Sequence, residues 1–217
     1  MAPVPIRILL TVYFYCVVSI FFCLAFLTEL IAYVLLSPFS FRHKGVKARV
    51  LSSIFQTYML AALYCLPFWR VKFLNSPPLA SSSSSSSFSP SAYNPKRTVI
   101  MANHASGADP WLLTAVVYPW PAFFVIKDSL CRVPIAGWCL ALAGSIRVKF
   151  TKEKGGWATA PGAVKLLMQE SNEVMDRGHA LVVFPEGTRS VTGRLQPFKD
   201  GFFRFAVEHE GISILPV

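Results

Sequence analysis

Charge is scarce in this chain. Asp, Glu, Lys and Arg make up 15% of its 217 residues, and 53% are hydrophobic. An average globular protein carries about 25% charged residues. The deficit argues against an ordinary water-soluble domain and for a chain that meets a membrane. Acidic residues are the scarcer sign, 11 against 21 basic, for a net charge of +10. Such a balance suits anionic lipid headgroups or phosphorylated small molecules. Nucleic acid fits poorly, because the basic residues are not interleaved with aromatics in any recognisable binding module. Cysteine is also sparse: five residues, none in a Cys-x-x-Cys pair, and no His cluster with zinc-ligand spacing. This pattern excludes a disulfide framework and gives no metal site; reduced thiols are expected. No small-residue cleavage site follows the first apolar run, no transit peptide is evident, and the C-terminus carries no retention signal.

What is abundant is apolar sequence near the N-terminus. Ile8 to Thr28 contains no charge, and a bilayer span needs about 20 such residues. Glu29 interrupts, and LIAYVLLSPFSF continues to Phe41. Segment 8–41 is therefore one tilted helix with an extension, or a helical hairpin turning near Glu29. The basic patch RHKGVKAR (42–49) follows, a solvated loop or a contact for anionic lipid on the cytoplasmic face. Val50 to Trp69 is a second uncharged run, with Trp69, Arg70 and Lys72 resembling an interfacial anchor. Residues 1–73 thus read as membrane-anchoring segments, about 8–41 and 50–69, with VKFLN (71–75) alternating as a short strand.

SPPLASSSSSSSFSPSAYNP (76–95) is Ser/Pro-rich and of low complexity. It offers too little apolar surface to offset chain entropy, so residues 74–96 read as a disordered insertion. From residue 97 the pattern changes. Short apolar runs at 98–103, 122–127, 145–150, 180–185 and 212–217 alternate with helical patterns at 110–118, 134–143, 162–177 and 201–210. In 162–177, Val164, Leu167, Met168 and Met175 fall on one helical face. The alternation predicts an α/β domain over 97–217: a mixed sheet flanked by helices, preceded by membrane helices. Val217 ends the chain inside an expected core strand, so the domain is expected to be truncated at its C-terminal end.

Two stretches carry candidate chemistry. NHASGADP (103–110) places His104 and Asp109 at the seam of a strand and a helix. A five-residue step in a regular helix rotates by about 500°, so the two side chains would diverge by about 140°. They meet only through a tight turn, which Gly107 and its small neighbours allow. The pair would then be the His–Asp half of a hydrolase triad, with Asp109 orienting the imidazole. The alternative is plain: Asp109 before Pro110 is a good helix N-cap, and His104 an ordinary loop residue. No Gly-x-Ser-x-Gly elbow accompanies the pair. A base without a protein nucleophile suits a substrate that brings its own hydroxyl, as in acyl transfer from a thioester to an alcohol.

The second stretch is VVFPEGTRS (182–190). After a strand, Gly187 lets backbone approach a ligand, and Arg189 offers a planar fork for phosphate oxygens. The alternative is a turn with a local Glu186–Arg189 ion pair, worth little by itself. Lys199, in GRLQPFKDGFFRF (193–205), is a further phosphate-binding candidate, whereas Arg204 reads as part of a solvated helix face. Lys127, at the end of a strand, is a candidate for the same cleft.

Taken in order, these blocks resemble the 1-acylglycerol-3-phosphate (lysophosphatidic acid) acyltransferase family. NHASGAD is similar to its Asn-His-x-x-x-x-Asp block, KDSLCRVPIAGWCLALAGSIRV to its second, and VFPEGTRS matches its third in full. LQPFKDGFFRFA and ILPV resemble the segments that follow. The resemblance covers about residues 98–217. It implies His104 as general base, Asp109 as its orienter, and Glu186, Gly187 and Arg189, with Thr188 adjacent, at the acceptor phosphate. It implies a role for Pro216 in binding the acyl donor. One departure stands in the second block, where Phe150 occupies a position that many members fill with Arg; Arg147 and Lys149 are the nearby basic candidates.

The resulting expectation is a membrane-bound acyltransferase without cofactor, taking acyl-CoA as co-substrate and lysophosphatidate as acceptor. Its partners are the lipid bilayer and these substrates, not nucleic acid. An endoplasmic-reticulum-type membrane is the first expectation and the plastid envelope the second. The competing expectations are transfer to glycerol-3-phosphate or another lysophospholipid, or a truncated, non-catalytic lipid-binding membrane protein.

Overall fold

The computed structural model describes residues 3–39, 44–67, 97–153 and 156–217. The short strand expected at 71–75, the Ser/Pro-rich segment 76–95 and the anchor residues Trp69, Arg70 and Lys72 lie outside the described residues.

The chain opens with one unbroken helix, α1 (Val4–Leu36). Glu29 does not break it. Glu29 and Ala25, one turn apart, are its two buried residues, so the charge-bearing side chain faces protein rather than ending the helix. Among the described residues, Val4–Phe39 is the one helical stretch long and apolar enough to cross a membrane. The reversal of direction comes later, between α1 and α2 (Lys44–Tyr64). Part of the basic patch expected as a loop is therefore helical, because Lys44, Lys47 and Arg49 belong to the first turns of α2. Lys47 places its ammonium 3.4 Å from the Tyr33 ring centre and donates to Ser37 Oγ at 3.0 Å, which ties α2 back to the end of α1.

The α/β domain contains β1 (Thr98–Met101), α3 (Asp109–Val117), β2 (Ala122–Lys127), α4 (Ala136–Leu142), β3 (Ile146–Val148), β4 (Phe150–Glu153), β5 (Gly156–Thr159), α5 (Ala163–Asp176), β6 (Ala180–Val183), α6 (Gly201–Glu208) and β7 (Ser213–Pro216). Five strands form one sheet in the order β3-β2-β6-β1-β7, and every pairing in it is parallel. Among the described residues, antiparallel pairing is confined to the separate β4-β5 pair. The expected α/β layering stands, and the mixed character of the pairing comes from this pair rather than from the main sheet.

Parallel strands are covered on both faces and need apolar side chains on both. TVIM and ALVV meet that demand, with all four residues buried in each strand. Val99, Met101, Leu181 and Val183 face a layer with Leu167, Val174 and Met175 of α5 and Phe202 and Phe205 of α6. Ile100, Ala102 and Val182 face the opposite layer, with Leu113 and Val117 of α3. In α5, Leu167 and Met175 are buried as expected, but Val164 is exposed; Ser171 and Val174 complete the inner face instead.

Helices α1 and α2 pack on this domain. Ser52 Oγ and Gln56 Nε2 both donate to the Ala122 carbonyl, at 3.2 and 3.0 Å, which fixes α2 to the start of β2. Phe14 and Phe22 of α1 pack against Trp111 of α3, and Phe26 against Trp138 of α4. The helix α3, which begins at Asp109, is thus seated on the apolar N-terminal helix.

Candidate active site

The carboxyl ends of parallel strands are where an open α/β sheet leaves a crevice. Here β1 lies between β6 and β7, and the chain leaving β1 runs through an irregular segment to α3. That segment is the His104–Asp109 turn. Met101, at the end of β1, is in register with Val183 on one side and Pro216 on the other. The segments after β6 and at the end of β7 therefore flank His104.

The turn brings the histidine and aspartate together. Asp109 Oδ2 lies 3.0 Å from His104 Nδ1 and also accepts the Ser106 N–H at 2.8 Å. An ionised carboxylate only accepts hydrogen bonds, so this contact places the imidazole proton on Nδ1 and leaves the lone pair on Nε2. Among the described residues, Nε2 has no hydrogen-bond partner. The cap reading of Asp109 does not hold: the cap position is Ala108, and no side chain caps the helix. The His104 ring stacks on Phe184, with centroids 4.1 Å apart and planes 18° from parallel. Phe184 comes directly after β6, so the strand end supplies a rigid platform for the ring.

The turn after β6 reaches across to the same histidine. Glu186 is buried. Its Oε1 accepts the His104 N–H at 2.9 Å and its Oε2 the Gln196 N–H at 3.2 Å. The His104 carbonyl accepts the Ser190 N–H at 2.7 Å. Among the described residues no ion pair joins Glu186 to Arg189, because the carboxylate turns inward and the guanidinium outward.

Two cations stand at the mouth. A Cβ placed on Gly107 would lie 3.3 Å from Arg189 Nη1, so the guanidinium rests against the His104–Asp109 turn. A Cβ placed on Gly187 would lie 2.9 Å from both Cε and Nζ of Lys199. Gly187 has φ +71°, and Lys199 is held nearby by its N–H to the Pro185 carbonyl at 2.8 Å. Thr188 is exposed, with Oγ1 3.3 Å from Gln196 Oε1. Arg204, by contrast, pairs with Asp200 on the exposed face of α6.

The remaining basic candidates lie farther along the sheet. Lys127 ends β2, two strands from β1, with Nζ 5.9 Å from the Phe150 ring centre. Arg147 sits on β3, three strands from β1, or about 14 Å at ordinary strand spacing. It lies near Cys131, whose thiol pKa is raised by burial and partly drawn back by the Arg147 charge. Lys149 follows β3 and is exposed. Gln196, Ser190, Phe184 and Ser106 complete the site through the contacts described above. Ser190 and Phe184 stand inside the VFPEGTRS block and Ser106 inside NHASGADP, whereas nothing in the sequence marks Gln196 as a site residue.

A family model described as Acyltransferase matches residues 87–217. A 1-acyl-sn-glycerol-3-phosphate acyltransferase from Saccharomyces cerevisiae is 36% identical over 124 residues, 56% of this chain and 38% of that protein. One from Borreliella burgdorferi is 34% identical over 125 residues, 57% of this chain and 46% of that protein. This chain thus spans less than half the length of either relative. The crystal structure of the 1-acyl-sn-glycerophosphate (LPA) acyltransferase PlsC from Thermotoga maritima shares the fold, with a TM-score of 0.58 at 22% identity, covering 97% of this chain and 73% of that one. The matched region contains the His104–Asp109 turn, the turn after β6 and the strands that hold them, and the chain belongs to the Acyltransferase family.

Proposed function

We propose that this chain carries the acyl-transfer site of a 1-acylglycerol-3-phosphate acyltransferase that takes its acyl group from acyl-CoA. The observation that carries the reading is a histidine oriented through Nδ1 by Asp109, its Nε2 unengaged, with Arg189 resting on the same turn. In this reading Nε2 removes the proton from the acceptor hydroxyl as its oxygen attacks the thioester carbonyl. The tetrahedral oxyanion then collapses: the C–S bond breaks, the new ester C–O bond remains, and the leaving thiolate takes the proton from Nε2. Asp109 stabilises the transient imidazolium without accepting its proton.

The acceptor phosphate is read onto Arg189 and Lys199, with Gly187 and Thr188 lining the approach. Arg189 supplies a planar fork and Lys199 a point charge. Pro216, on the other side of β1, is read as a donor-side contact. Apolar α1, seated on Trp111 beside the turn, is read as holding this site at the bilayer, where both lipid substrate and product reside.

The test is acyl transfer by purified full-length chain in lipid vesicles, with radiolabelled acyl-CoA and a panel of lysophospholipids and glycerol-3-phosphate. His104→Ala should abolish turnover while vesicle binding is retained. Full turnover by that variant rules His104 out as the base. Preference for another acceptor would move the reading to that substrate.

A further inference from the structure

Glu186 is 4% exposed, yet no cation among the described residues is paired with it. Its charge is met by two backbone donors instead, the N–H groups of His104 and Gln196. A carboxylate engaged this way presents no attraction to a phosphate, which carries the same sign. It does hold the main chain of the base.

His104 lies in irregular chain between β1 and α3, where no ladder or helix satisfies its peptide groups. Both groups are satisfied by the turn after β6. The N–H donates to Glu186 Oε1, and the carbonyl accepts from the Ser190 N–H. That turn is braced in its own right. Ser190 Oγ donates to the Arg194 carbonyl at 2.7 Å, and Glu186 Oε2 reaches Gln196. Asp109 and Phe184 orient the ring, while Glu186 and Ser190 hold the peptide that carries it.

We infer that Glu186 is a positioning residue, whose carboxylate fixes the His104 main chain and so the aim of its imidazole, and that it does not contact the acceptor phosphate. The inference rests on the reading of His104 as the base. A displacement of about 1 Å at a reacting group costs on the order of 10²-fold in rate, so a brace at this point controls turnover without touching substrate.

Glu186→Gln is close to isosteric. It keeps one acceptor oxygen and sets an NH₂ against a backbone N–H. In the vesicle assay its kcat should fall roughly 10²-fold while the acceptor KM stays within about twofold, the signature of a group that does not bind acceptor in the ground state. Hydrogen exchange of the substrate-free, solubilised full chain should show faster exchange at the His104 and Gln196 amides. Glu186→Asp, which retains both oxygens on a shorter stem, should recover part of the amide protection and part of kcat. It carries both measurements if the Gln variant does not fold. A raised acceptor KM with kcat preserved would return Glu186 to the phosphate site. Unchanged exchange at His104 would remove the brace. If the unaltered protein acylates no glycerophosphate acceptor, the acyl-transfer reading fails, yet amide exchange still decides what Glu186 holds.

Discussion

His104 Nδ1 and Asp109 Oδ2 stand 3.0 Å apart although their residues are a five-residue step apart in the chain. In a regular helix the same spacing would point the two side chains about 140° apart. The intervening turn is therefore what converts two neighbouring residues into a dyad. Its cost is met locally by the Ser106 N–H on the same carboxylate oxygen and by the start of α3 immediately after.

Asp109→Asn tests that relationship. The amide matches the carboxylate in shape but not in charge, and its NH₂ group can face the imidazole and reverse the preferred tautomer. The kcat for acyl transfer should fall by about 10²–10⁴-fold, the range a positioned base supplies. Vesicle binding should be unaltered. A kcat within a few-fold of the unsubstituted protein would remove Asp109 from the mechanism.

Gly187→Ala should weaken acceptor binding through Lys199. The residue has φ +71°, where an L side chain costs about 1–2 kcal/mol. The new methyl would also fall 2.9 Å from Lys199 Cε and Nζ. The lysine must swing aside, so the acceptor KM should rise about tenfold, equivalent to about 1.4 kcal/mol. Lys199→Ala should produce a similar rise, and the double variant little more than either alone. Fully additive effects would show that the two residues act separately.

Gly137→Ala reverses a usual rule. Alanine favours a helix interior over glycine by about 1 kcal/mol. At Gly137 in α4, however, a Cβ would overlap the Leu130 carbonyl oxygen and lie 2.7 Å from the Cys131 carbonyl carbon. Backbone cannot yield as a flexible side chain does. Overpacking of this kind costs about 1–3 kcal/mol, so the melting temperature should drop by several degrees, at about 2–4 °C per kcal/mol. A higher melting temperature would contradict this packing of α4 on the turn after β2.

His179 should make the fold acid-sensitive. It lies buried at the entry to β6 with its ring stacked on Phe123, centroids 4.9 Å apart. Burial first, then the nearby Arg49 charge, lower its pKa from 6.5 to about 4; the Gly45 backbone opposes them, and Arg177 adds a smaller push downward. The unfolded chain takes up this proton at a higher pH than the folded one. The contribution to stability is thus complete above pH 6.5 and lost as pH falls from 6.5 towards 4. Denaturant unfolding at several pH values should show His179→Leu losing less stability than the unsubstituted protein across that window. Parallel pH curves for the two would exclude His179 as a source of the sensitivity.

Much of the fold was legible because periodicity is a local property. The apolar run AFFVIK (122–127) reads as a strand and forms β2 over the same six positions. The runs at 98–103 and 180–185 read as strands; β1 and β6 occupy the first four positions of each and are buried throughout, as strands of a parallel sheet covered on both faces are. Val164 misled because a helical-face pattern does not say how far the neighbouring layer extends; α5 is exposed there. Glu29 was ambiguous for a related reason. A charge in an apolar run signals either a turn or a buried contact, and only the packing of α1 identifies the contact.

The sequence by itself determined the apolar N-terminal helix, the alternation of strands and helices, and the two turns bearing His, Asp, Glu and Arg. Local composition and spacing carry each of these. Only the tertiary structure decided that β6 pairs beside β1, and this pairing places residue 186 against residue 104 across 82 positions of chain. It also decided which cations stand near His104. Arg189 arrives with the turn after β6, whereas Arg147 is carried three strands away on β3. Strand order is set by how whole layers bury their apolar faces, a sum over the molecule that no short stretch of chain contains.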